Sequence, residues 1–136
     1  MVFPGLKEVE GERAELPSSF EKFYKDSGIV RIRRKEMSCT ILSNNSKFLF
    51  FQAGKLSGYM KLCASFFAVA QFQSPQIERS GEGYKLANSA TGNYRLPLED
   101  PPSTSDWREL PHEKRKIAKE IELNLEVFIK EIEKGI

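Results

Sequence analysis

Residues 117–136 read IAKEIELNLEVFIKEIEKGI, and the stretch carries two incompatible periods. Read at 3.6 residues per turn, Ile117, Ile121, Leu125, Phe128, Ile132 and Ile136 fall on one helical face, and the abundance of Lys and Glu favours a helix locally. Read at period two, Ile121, Leu123, Leu125, Val127 and Ile129 alternate with Glu122, Asn124, Glu126 and Lys130, which leaves only Phe128 on the wrong side. The helix strands Leu123 and Val127 among polar residues. A helix makes the chain α+β and a strand makes it all-β, so the fold class turns on this segment. The residues alone lean slightly to the helix.

Upstream the pattern is less divided. From Gly28 onward, clusters of turn-forming residues recur at strand spacing: RKE after Ile32, SNNS after Leu42, Gly54, Gly58, SPQ at 74–76, SGEG at 80–83 and TGN at 91–93. Short runs rich in Val, Ile, Phe and Tyr between such breakers predict consecutive antiparallel strands near 29–34, 37–43, 47–53, 58–66, 67–73, 76–80 and 83–89. PQIERS and YKLANS around Gly81-Glu82-Gly83 form the clearest hairpin, because glycine supplies the positive φ of a tight turn. YMKLCASFFAVAQF, 59–72, is continuously apolar and compatible with a buried helix or with buried strands; its aromatics and flanking glycines favour strands. SFEKFY, 19–24, is expected to form a helical turn capped by Ser18 or Ser19. Residues 97–112, PLEDPPSTSDWRELPH, read as a proline-rich loop with Asp106 and Glu109 at capping-box spacing for one helical turn.

A chain of 136 residues is one domain large enough to bury a core. Residues 1–19 are polar and broken by Pro4, Gly5, Gly11 and Pro17, so they read as a lead-in to a domain over 20–136. The net charge of +2, from 21 basic and 19 acidic residues, is not the strong basic field of a nucleic-acid binder, so no nucleic acid is expected as partner. No run approaches the length of a membrane span and the N-terminus lacks a leader pattern, so no membrane partner is expected either. Cys39 and Cys63 sit in apolar runs without CxxC spacing and read as buried small hydrophobes. The single histidine, His112, has no second ligand at metal-binding spacing, and there is no Gly-rich phosphate loop. No metal or cofactor is expected.

GIVRIRRKEMSCTILSNNSKFLFFQAG, then YMKLCASFFAVAQF, then YRLPLEDPPSTSDWRELPHEKRK and LEVFIKEIEKGI together resemble the C-terminal β-sandwich region of heparinase II/III-like polysaccharide-degrading proteins, over about residues 18–136. The resemblance implies an all-β antiparallel β-sandwich with short helical turns, makes the C-terminus a strand, and implies a piece of a longer protein, incomplete at its C-terminal end. It also implies a catalytic domain elsewhere in the same parent chain and an acidic polysaccharide as partner. The family's catalytic motifs match no stretch here, so no catalytic residue is carried over. The expected role is that of a noncatalytic accessory domain; the competing reading is a stand-alone α+β interaction domain whose C-terminal amphipathic helix covers a sheet, with no carbohydrate chemistry.

Glycan binding needs a flat aromatic ring beside planar hydrogen-bonding side chains. In a strand over 29–34, Arg31 and Arg33 share one face while Val30, Ile32 and Arg34 take the other. Solvated arginines on the outside of a sheet are the ordinary outcome. An arginine fork also matches carboxylate and sulfate, which acidic polysaccharides carry. Trp107, beside Asp106 and Arg108 in the long loop, and Tyr94 with Arg95 complete the candidate binding residues. The ordinary role for Trp107 is an anchor folded back onto the core. His112 reads as a surface residue, and Tyr24, Tyr59, Tyr84 and Tyr94 as packing tyrosines.

Overall fold

The structure is a computed structural model that describes residues 15, 17–100 and 102–132. Strands β1 (Ser19–Tyr24), β2 (Ile29–Arg34), β3 (Met37–Leu42), β4 (Lys47–Ala53) and β5 (Leu56–Lys61) follow one another as a five-stranded antiparallel meander. Strands β6 (Ile77–Ser80), β7 (Gly83–Arg95) and β8 (Ile117–Lys130) form a three-stranded antiparallel sheet in that order. The fold is an all-β antiparallel sandwich, and among the described residues its only helical elements are two short 3-10 turns, Trp107–Glu109 and His112–Lys114.

Alternation decides what each strand buries. Phe23, Val30, Ile41 and Leu49 lie opposite one another across four neighbouring strands. Facing them, Ile77 pairs with Leu86 and Leu86 with Val127, while Tyr84 pairs with Ile129. These rows meet in a core of Val30, Ile41, Phe48, Phe72, Ile77, Tyr84 and Leu86. Full burial of one such side chain contributes about 1.5–3 kcal/mol. The hairpin between β6 and β7 is the expected one, and Gly81 supplies its left-handed residue at φ +57°.

Two segments and one cysteine differ from the sequence reading. SFEKFY is strand β1 and not a helical turn: six residues are too few to hold a helix alone, and as a strand they pair fully with β2 and turn Phe23 onto the core. The apolar run 59–72 contributes only its first residues to β5, and the remainder is an irregular crossover between the sheets. That crossover is apolar because it closes the sandwich: Phe72 is fully buried and its ring meets Phe48 edge-on at 5.5 Å. Its end is stitched to both sheets by Ser74, whose buried hydroxyl donates to the Gln76 carbonyl and accepts from the Ala87 amide, while the Asn44 amide donates to the Ser74 carbonyl. Finally, Cys39 is half-buried against the core as expected, whereas Cys63 is exposed at the start of the crossover.

The C-terminal contest goes to the strand. β8 pairs with β7 along nearly its whole length, and Leu123, Leu125, Val127 and Ile129 lie opposite Ala90, Asn88, Leu86 and Tyr84. Residues 121–130 alternate between half-buried and exposed without a break. The α+β reading with a C-terminal helix is thereby corrected. A helix would have buried one side of the segment and left Leu123 and Val127 in water, whereas the long β7 offers a complete hydrogen-bond ladder and a matching apolar row. Residues 133–136, and most of the proposed lead-in, lie outside the described residues.

Candidate functional site

The outer face of the five-stranded sheet is assembled by the same alternation that builds the core. Pairing places Lys22 opposite Arg31, Arg31 opposite Thr40, Thr40 opposite Phe50 and Phe50 opposite Tyr59, so one side chain from each strand forms a transverse row. A parallel row holds Phe20, Arg33, Ser38, Gln52 and Ser57. Arg31 and Arg33 therefore share the outer face, as their spacing predicts, while Arg34 turns inward.

Within the first row the Arg31 guanidinium donates to the Thr40 hydroxyl, which lays it along the sheet. The Phe50 and Tyr59 rings stand 6.1 Å apart at 43°, and the Lys47 ammonium sits 4.4 Å above the Tyr59 ring. Together Arg31, Ser38, Thr40, Phe50, Gln52 and Tyr59 line an open groove of about 700 Å³. The arrangement offers a guanidinium fork, hydroxyls and an amide at one end and two rings with a cation at the other. Arg33 lies beside this groove without lining it, and its Nε is shielded from solvent with no hydrogen-bond partner among the described residues.

Tyr94, Arg95 and Trp107 line none of this groove. Tyr94 is exposed near the end of β7 and meets the Phe67 ring edge-on at 5.1 Å. Phe67 itself holds φ +48°, an unusual backbone for a bulky residue, with its ring seated where a Cβ on Gly92 would stand. Arg95 donates to the Arg115 carbonyl at 3.0 Å, and Arg115 returns bonds to the Leu96 and Arg95 carbonyls. These arginines tie the two ends of the long loop together.

Trp107 is not the anchor that its sequence context suggests. It is 69% exposed. The loop is fixed instead by polar bonds: the Asp106 carboxylate accepts from the Arg108 backbone amide at 3.0 Å and from its guanidinium at 3.0 and 2.7 Å. Those bonds hold the Asp106 carboxyl below the usual carboxylate range. His112 is half-buried, and its Nε2 lies 2.6 Å from the Trp107 carbonyl oxygen, so it braces the same turn.

A second polar group joins the two sheets from inside. The Glu21 carboxylate of β1 accepts from the Tyr84 hydroxyl of β7 at 2.7 Å and from the Arg34 guanidinium of β2 at 3.1 Å, and it pairs with Arg79 of β6. Arg34 also pairs with Glu131, just beyond β8, at 3.3 Å. The Tyr84 hydrogen bond and the two arginines hold the Glu21 carboxyl low. Burial first, then the Glu21 carboxylate, push the Tyr84 phenol up, so this hydroxyl stays protonated and acts as a donor in a structural staple.

Tyr59, which reads from the sequence as a packing tyrosine, is instead 55% exposed in this groove, and Lys47, Thr40, Phe50 and Gln52 carry no sequence signal, because nothing local marks a strand residue as pointing outward into a groove. A charge signal was present nonetheless. Residues 37–76 contain no Asp or Glu, so all 19 acidic residues lie outside the segment that builds β3, β4, β5 and the crossover. Among the described residues no group of three or more His, Cys, Asp or Glu is placed to hold a metal ion. Comparison with known proteins yields no match to a family model, a curated protein or a solved structure.

Proposed function

We propose that the outer face of the five-stranded sheet binds an acidic polysaccharide, and that the chain serves as a noncatalytic accessory sandwich of a heparinase II/III-like polysaccharide-degrading protein. The observation that carries this reading is the transverse row Lys22, Arg31, Thr40, Phe50 and Tyr59, cationic at one end and aromatic at the other. Four inter-strand gaps of about 4.8 Å make the row roughly 19 Å long, the scale of a short oligosaccharide. Arg31 can present its fork to a uronate carboxylate or a sulfate, while Tyr59 covers an apolar sugar face and Gln52, Ser38 and Ser57 reach ring hydroxyls. The acid-free composition of β3–β5 leaves no carboxylate on these strands to repel such a ligand.

The test is a titration of the chain with heparin and with alginate at several salt concentrations. Affinity should fall as salt rises, because exposed charge contacts are screened over about 8–10 Å near physiological ionic strength. Arg31→Gln with Arg33→Gln should flatten the salt dependence, and Tyr59→Ala should weaken binding at every salt concentration with the slope kept. Equal affinity of the arginine variant and the parent would assign the face to docking against another domain instead.

A further inference from the structure

The edge of the same sheet carries a different kind of surface. Among the described residues β5 pairs with β4 alone, so the backbone groups on its other side form a free edge. At its C-terminal end this edge is closed by the Phe72 amide, which donates to the Leu62 carbonyl at 2.9 Å. The free stretch is therefore Leu56–Lys61. Free edges are usually guarded by charge. β8 carries Lys119, Glu120, Glu122, Glu126 and Lys130, β1 carries Glu21 and Lys22, and β6 carries Glu78 and Arg79. β5, with sequence LSGYMK, has only the terminal Lys61.

The inner side of β5 is apolar and uncovered. Leu56 lies opposite Ala53 and Met60 opposite Leu49, yet Leu56 is 64% and Met60 50% exposed. Phe51 and Leu62 add to this apolar strip. Lys55 immediately precedes β5 and Lys61 ends it, and no acidic residue occurs between 37 and 76. Those lysines disfavour a second copy of β5 as the occupant, since two copies would bring like charges together along the seam. An acidic strand would meet opposite charges and bury apolar side chains at alternate positions.

We propose that β5 is a docking edge for an extended acidic segment of another polypeptide, which adds to the sheet as a further antiparallel strand with its apolar residues on Leu56, Met60 and Phe51 and its carboxylates beside Lys55 and Lys61. Main-chain hydrogen bonds supply affinity in this mode, and the alternating side chains supply specificity. The apolar side of this edge is the inner one, opposite to the glycan face, and of the residues named only Lys61 shares the outer side with Tyr59; the proposal stands whether or not that face binds a glycan.

The probe is a fluorescein-labelled alternating Val-Glu peptide of the length of β5, compared with its Val-Lys counterpart by fluorescence anisotropy. The Val-Glu peptide should bind about tenfold more tightly, the sum of two exposed ion pairs gained and two repulsions removed. Lys55→Glu with Lys61→Glu, both at exposed positions, should reverse the preference, and amide resonances of Leu56–Lys61 should shift on binding. Arg31→Gln with Arg33→Gln should leave peptide affinity unchanged. Equal affinity for the two peptides, resonance shifts confined to the outer face, or self-association of the chain that Lys61→Glu strengthens would each overturn the proposal.

Discussion

Because β4 shifts register between Lys47 and Leu49, Phe48 lies outside the regular alternation, and both it and Leu49 reach the core. Phe48 is 1% exposed and supports the crossover through Phe72, so its ring is shared between a sheet and the segment that closes it. Trp107 is the opposite case, a larger ring on the surface whose loop is held by Asp106, Arg108 and His112. Phe48→Ala should cost about 3–5 kcal/mol in chemical denaturation, the range for emptying a buried aromatic site. Trp107→Ala should stay within about 0.5 kcal/mol, as expected of an exposed side chain. A loss of several kcal/mol on removing Trp107 would restore the anchor role that sequence context suggests for it.

Strand β8 shows how an element is chosen by its neighbour. Its apolar residues satisfy both a helical and a strand period, and the local composition leans towards the helix. β7 supplies what composition cannot: a partner of matching length whose inward row is Tyr84, Leu86, Asn88 and Ala90. Phe128, the one apolar residue out of phase, is 61% exposed on the outer side, with the Lys85 ammonium 5.6 Å from its ring centre. The parity of the strand is directly testable. Phe128→Glu should leave the melting temperature nearly unchanged, whereas Leu125→Glu should abolish cooperative unfolding or lower its midpoint severely, because it forces an unpaired carboxylate against the core. Comparable effects of the two substitutions would mean that residues 121–130 do not alternate as a strand.

Across the whole molecule, the Glu21 staple joins β1 and β2 to β6 and β7, and Arg34 extends it to Glu131. The Glu21 carboxyl is lowered in the folded state, chiefly by the Tyr84 hydroxyl and the arginines, so the unfolded chain takes up this proton at a higher pH than the folded one. Its contribution to stability is complete above the ordinary glutamate range, about pH 4.3, and is lost as pH falls through the lowered value. Melting curves over that acid window should show the parent losing more stability than Glu21→Gln, with the two differing by a constant amount near neutrality; parallel curves throughout would remove Glu21 from the linkage. The chain's own residues determined the all-β bias, the β6–β7 hairpin and the sharing of one face by Arg31 and Arg33, because each follows from turn chemistry or from alternation over a few neighbours; of the breakers, Gly58 and TGN at 91–93 lie inside β5 and β7 and end no strand. Tertiary structure alone decided the state of residues 117–130, the strand formed by SFEKFY, the exposure of Trp107 and the crossover role of the run after Lys61. It also gathered Thr40, Phe50 and Tyr59 from three strands into one groove with Arg31 and set the Lys47 ammonium over the Tyr59 ring. The physical reason is that those outcomes depend on which surfaces and hydrogen-bond ladders distant segments present, and no local preference encodes the partner that a segment will meet.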